Sequence, residues 1–219
     1  MIKIEHGEVL GWEHAIRGMR NPLNSWDKMD SEFNVTTYWD AGCEFIHETN
    51  QTFIGDNDLS LMVRLRNAGS DHRKYLRMLT VYVDITAPLY WWKEFDTYKV
   101  GTVANSCSTM HKIHAKEFVM DDFSCEHLDK EGRKLLHQKI CYLNKNREKY
   151  IETKDKAYWH NMIQSLESSY NQKRTVLLNY EVLTNMYHAR RNHKLDEWHT
   201  LCDWIESLPY AKELIVGET

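Results

Sequence analysis

The stretch MLTVYVDI, residues 78–85, constrains the fold most. Leu79, Val81, Val83 and Ile85 alternate with Thr80, Tyr82 and Asp84, a period of two in β-favouring residues that predicts a strand with one buried face. Pro88 follows, cannot donate to a ladder, and is expected to break it. From about Leu89 the spacing turns helical, and the new segment opens on aromatics: Tyr90, Trp91, Trp92, Phe95 and Tyr98 fall within nine positions. The polar run Gly101–Met110 comes after them. A strand that hands over to an aromatic helix and then to small polar residues suits a core element whose far end lines a site.

The rest of the chain supplies partners for that strand. Met1–Val9 alternates like an edge strand. Trp12–Arg20 places Trp12, Ala15, Ile16 and Met19 on one helical side, and Asn21-Pro22 ends it. Residues 23–52 read as irregular. Asp56-Asn57-Asp58 offers N-caps for a helix through Arg66, with Gly69 placed for a left-handed C-terminal cap. Residues 116–155 are charged, with helix expected at Gly132–Leu143. Helices are then expected at about 155–170, 174–189 and 194–207, the last stopped by Pro209. This order predicts an α+β fold, a small antiparallel sheet packed against helices with a largely helical C-terminal half. The 219 residues, 42% apolar, suit a single domain spanning 1–219.

Charge and cysteine usage exclude several classes. The 28 basic and 32 acidic residues leave a net charge of −4, which argues against a nucleic-acid binder relying on a basic face. No stretch approaches a membrane span and the first turn is charged, so a cytoplasmic protein is expected, without membrane contact. Five widely spaced cysteines without a C-x-x-C pair speak for free thiols. His111 and His114 have a spacing that a metal could use, but apart from Cys107 no carboxylate or thiol stands at a telling spacing, and no metal is expected.

The run G-S-D-H-R-K-Y-L-R at 69–77, the strand ending in Ala87-Pro88 and the aromatic helix start together resemble the flavin-dependent thymidylate synthase family. Placing Pro88 on that family's proline sets Lys93 on the first arginine and Phe95 on the tryptophan of R-x-W-x-R-H-R, with Thr97-Tyr98-Lys99 on R-H-R. Thr102 and Cys107 then fall on the two serines of the signature that follows. One inserted residue instead puts Asn105 and Ser108 on its asparagine and second serine, with Met110-His111 at its R-Y. A later run, N-Y-E-V-L-T-N-M-Y-H-A-R, sets Asn179, Asn185 and Arg190 on the family's two asparagines and final arginine, with Glu181 in place of the middle arginine. The resemblance covers 12–22, 58–111 and 174–206.

What the resemblance implies is a homotetramer that binds FAD and a pyrimidine nucleotide such as dUMP. The implied reaction is reductive methylation with a folate co-substrate and NADPH as reductant. It implies Cys107, Thr102 and Ser108 as catalytic positions and Asn179, Asn185, Tyr98, Lys99 and Asn105 as flavin contacts. Arg190, Lys93, Arg77 and His111 would then be nucleotide contacts. The departures are serious, because R-H-R is gone and a phosphate dianion favours bidentate guanidinium partners. The residues therefore leave two classes open: an enzyme of this family or a relative modifying a pyrimidine nucleotide, and a nucleotide-binding or structural protein that kept the fold and lost the reaction. Trp91-Trp92 is expected to supply apolar surface for self-association.

Overall fold

A computed structural model of the chain describes residues 2–39 and 47–217, and the side chains of 34–39 and 47–51 are not described; Cys43 lies outside the described residues. The strands are β1 (Lys3–Leu10), β2 (Glu32–Trp39), β3 (His47–Phe53), β4 (Thr80–Pro88), β5 (Val103–Ser106) and β6 (Asn171–Asn179). The α-helices are α1 (Trp12–Arg20), α2 (Asp56–Asn67), α3 (Leu89–Phe95), α4 (Lys130–Thr153), α5 (Lys156–Gln164), α6 (Tyr180–Arg190) and α7 (Asp196–Glu206). Four strands form an antiparallel sheet in the order β1-β4-β6-β5, while β2 pairs with β3 separately. The fold is α+β, as expected. No helix among the described residues is long and apolar enough to cross a membrane.

The alternation read in 78–85 is the alternation of β4. Val81, Val83, Ile85 and Ala87 are buried, and the register puts Leu178 and Val176 of β6 beside Val81 and Val83 on that face. Helices cover it, and 32 buried residues join in one core that includes Trp12, Leu76, Trp91, Trp198 and Ile205. A second apolar cluster gathers Ile113, Phe118, Phe123, Leu136, Ile140, Leu143 and Met162 beneath α4 and α5. The opposite sheet face carries Lys3, Glu5, Tyr82, Asp84, Thr86, Lys173 and Thr175.

Pro88 ends the ladder as expected: it pairs with Asn171 as the last residue of β4 and then stands at the N-cap of α3, and at a strand end its missing N–H costs no ladder bond. Several other expectations are corrected. Residues 174–179, expected to be helical, belong to β6. The run Thr175–Leu178 is apolar enough for either state, and pairing with strands on both sides decides for β. The irregular reading of 23–52 missed β2 and part of β3. The helix expected at 132–143 runs through 130–153, capped by the Asp129 carboxylate accepting from Gly132 N–H at 2.7 Å.

The N-cap of α2 is Gly55, not the Asp-Asn-Asp run. Asp30, far upstream, accepts from Asn57 N–H at 2.9 Å and Asp58 N–H at 3.0 Å and does the capping instead. A Cβ on Gly55 would stand 2.2 Å from the Asp30 carboxyl carbon, so only glycine fits against that remote cap.

Trp91 and Trp92 are not surface. Both are fully buried, with Trp91 4.8 Å from the Trp198 ring and 5.1 Å from Phe95. The Trp92 indole N–H donates to the Gln172 carbonyl at 2.9 Å, which ties α3 to β6. The aromatic segment is therefore core packing, and it gives no apolar surface for self-association.

Candidate functional site

The expected site residues do not gather at one point. Cys107 and Ser108 lie in a cleft of about 400 Å³ where β5 has just left the sheet. Thr109 follows them, Lys3 and Thr86 come from the ends of β1 and β4, and Tyr170, Asn171, Gln172 and Lys173 from the start of β6. Lys116, Asp121 and Asp122 close the other side. Backbone bonds fix Cys107: its N–H donates to the Lys173 carbonyl at 2.9 Å, and its own carbonyl accepts from Gln172 Nε2 at 2.7 Å. The thiol is exposed. The Ser108 hydroxyl oxygen accepts from the N–H groups of Met110 at 3.2 Å and His111 at 2.9 Å, so it holds the turn, and His111 is left exposed outside the cleft.

The cations of the cleft already have partners. Lys173 Nζ lies 3.0 Å from Asp84 and 3.8 Å from Glu5, Lys3 pairs with Glu5 at 2.7 Å, and Lys116 pairs with Asp122. Asp84 Oδ1 also accepts from the Thr175 hydroxyl at 2.6 Å. That hydrogen bond, with Lys173 beside it, holds the Asp84 carboxyl below the usual carboxylate range, and the hydrogen bond to Asp84 raises Lys173 above the ordinary lysine value. Lys3 likewise lowers Glu5.

Depressed carboxyls contribute stability that is present above their ordinary pKa of about 4 and lost as pH falls through the lower folded value. The raised Lys173 contributes stability below about 10.5 that is lost at higher pH. Melting temperature is accordingly expected to drop between about pH 5 and pH 3, and Asp84→Asn to give a shallower drop. An unchanged slope in that variant would remove Asp84 as a source.

Arg190 stands in another cluster. Its Nε donates to the Tyr98 hydroxyl at 3.0 Å, its Nη1 lies 3.1 Å from Glu94 Oε2, and its guanidinium packs over the Trp198 ring at 4.8 Å. The same Glu94 oxygen accepts from Trp198 Nε1 at 3.0 Å and lies 3.3 Å from His193 Nε2. Arg174 is held similarly: Nη1 meets Asp96 at 2.7 Å, Nε donates to Gln172 at 3.0 Å, and the plane lies 4.1 Å over Trp92. Glu181, where the resemblance has an arginine, is buried and paired with Arg73 at 3.0 Å. Three guanidiniums of this region are thus closed by carboxylates of the same chain.

The stripe of α6 also turns inward. Leu183 and Met186 are fully buried, whereas Asn185 is exposed. Asn179 caps α6, accepting from Val182 N–H at 3.0 Å, and its amide would lie 2.8 Å from a Cβ on Gly101, whose φ is +79°. Asn179 and Arg190 sit at opposite ends of a helix roughly 16 Å long. The Thr102 hydroxyl is enclosed without a hydrogen-bond partner among the described residues. Arg77, Lys93, Lys99 and Asn105 are exposed, and none of them lines the cleft.

Sequence reasoning missed Tyr170, Gln172, Lys173 and the two aspartates. The first three become visible only once β6 is a strand, because its register then sets Lys173 opposite Thr86. Among the described residues no three His, Cys, Asp or Glu side chains gather to hold a metal ion.

No protein-family model matches the sequence, and no curated protein matches it. Among solved structures, the chain is similar to a crystal structure of thymidylate synthase X (ThyX) from Helicobacter pylori with FAD and dUMP, at a TM-score of 0.66 and 16% identity, covering 98% of this chain and 97% of that one. A second crystal structure, the flavin-dependent thymidylate synthase ThyX of the same organism complexed with FAD and dUMP, gives a TM-score of 0.64 at 16% identity over the same shares. At that identity the likeness establishes the architecture: this chain has the fold of those structures over nearly its whole length.

Proposed function

We propose that the chain is a divergent flavin-dependent thymidylate synthase-like protein that binds FAD and a pyrimidine nucleotide of the dUMP kind, for reductive methylation or a related base modification. The observation that carries this reading is the near-full-length likeness to structures that hold both ligands. The cleft beside Cys107 supports it: about 400 Å³ lies in the lower part of the range for ligand sites, which suits a single nucleotide. In this reading Cys107 is the nucleophile toward the pyrimidine ring, with the Ser108 hydroxyl beside it and Thr102 at the far end of β5, outside the cleft, and Lys173 and Tyr170 join the residues that hold the nucleotide.

The cleft beside Cys107 does not by itself accommodate FAD. The cleft is too small for a dinucleotide beside a nucleotide, and Arg174 and Arg190, the guanidiniums nearest in kind to a phosphate clamp, are occupied by Asp96 and Glu94. The reading therefore includes a second copy completing the flavin site, in keeping with a homotetramer, and no step is assigned to the flavin. Folate and NADPH have no residues assigned. The occupied guanidiniums favour a second reading, a nucleotide-binding or structural protein without the reaction.

Titration of the full chain with FAD and dUMP tests the first reading. Visible flavin absorbance retained through gel filtration is expected, together with slower alkylation of Cys107 in the presence of dUMP while Cys125 and Cys141 are unaffected. A protein that stays colourless and shows no dUMP protection would sink it. Retained flavin without protection would move the nucleotide away from Cys107.

A further inference from the structure

The buried face of α4 is Leu136, Ile140 and Leu143, yet the helix carries a second apolar stripe on the outside. Leu135, 57% exposed, and Tyr142, 44% exposed, stand seven residues apart on one face of the helix, and Leu128, 39% exposed in the segment ahead of the N-cap Asp129, lines the same groove. The row borders a groove of about 590 Å³ that Gly132, Lys139 and Glu167 help to line.

We infer that this row is a contact between two copies of the chain, with α4 packed antiparallel against its twofold mate and Leu135 on the axis. The charge pattern selects this occupant. A twofold axis at Leu135 sets each residue opposite the one equally far on the other side. Glu131 then meets Lys139 of the mate, and the mate's copy of Tyr142 lies toward the Leu128 end of the groove. Gly132, which has no side chain, meets Gln138 and lets the helices approach. On the helix Leu135 thus faces itself and the Glu131 and Lys139 charges face each other, so the row is complementary to itself. Within one copy Glu131 lies 3.9 Å from Lys134 and Lys139 3.3 Å from Glu167, all near the surface, so both charges are free to turn toward a mate.

Four helical turns cover far less than the ~800 Å² per partner of a standard stable interface. The contact is therefore weak by itself and works as one face of a larger assembly or at high concentration. It does not depend on nucleotide or flavin binding.

The test is a thiol trap on the full chain with Cys125 and Cys141 changed to serine. Leu135→Cys, oxidised mildly, is expected to give a covalent dimer whose peptide map shows residue 135 joined to itself. Glu131→Lys and Lys139→Glu should each cut the rate of trapping roughly tenfold, because the axis counts every charge twice, and the double reversal should recover most of it. Thermal melts of each variant report folding separately. A trap no faster than in the Leu135 parent, or a double reversal as slow as the singles, overturns the proposal.

Discussion

Asp58→Ala is expected to lower the unfolding free energy by about 3–5 kcal/mol, the range for removing one partner of a buried ion pair. Asp58 is fully buried near the start of α2, and Arg20, almost as buried, sends Nε to its Oδ1 at 2.7 Å and Nη2 to the same oxygen at 2.6 Å. The other oxygen accepts from the N–H groups of Asp30 and Ser31, both at 3.0 Å, and from the Ser31 hydroxyl at 2.6 Å. One carboxylate thus fastens α1, α2 and the segment that leads into β2. Alanine would strand a guanidinium in a low-dielectric setting and orphan three donors at once. Chemical denaturation measures the loss. A change below about 1 kcal/mol would mean that water reaches Arg20 and that burial overstates the pair.

Trp198→Ala is expected to cost about 3–5 kcal/mol, as for other large aromatics removed from a core. Trp198 is fully buried on α7, packs on Trp91 at 4.8 Å, and supports the Arg190 guanidinium from the other side. Its indole N–H also satisfies Glu94. Trp198→Phe keeps most of the packing and loses that donor, so about 1 kcal/mol is expected for it. Equal losses in the two variants would show that the hydrogen bond, and not the packing, carries the effect. In the alanine variant Arg190 loses the surface under it, and its contact with Glu94 and Tyr98 should loosen with the core.

The sequence was readable where local pattern and burial agree. The alternation of 78–85 and the amphipathic run 12–20 became β4 and α1, because in both the apolar period matches the face that is covered. Gly69 takes a φ of +106° just past α2, as its position implied. The pattern failed where a distant partner decides. Asp30 caps a helix that begins 26 positions later, and nothing local announces it. Val176 and Leu178 fit a helix or a strand, and only β4 and β5 on either side settle the choice. The roles suggested for Arg190 and Asn179 rested on offsets along one helix, which cannot show that Glu94 and Tyr98 surround the first and that the second caps the helix start. Cys107 was findable as a thiol in a polar run. Its neighbours Gln172 and Lys173 were not, since 65 residues of chain separate them from it.

The short strand β5 has a mechanical consequence for the cleft. All four of its residues are exposed, it has a neighbour on one side only, and Cys107 continues its ladder by a single bond to Lys173. Peeling it from β6 uncovers little of the main core, so local opening should take much less free energy than unfolding β4, whose inner face is sealed. The wall bearing the thiol thus opens more readily than the sealed centre of the sheet. Whatever enters the cleft meets a boundary that is rigid along β6 and yielding along β5, and a molecule that bridges the two strands would tighten the whole edge.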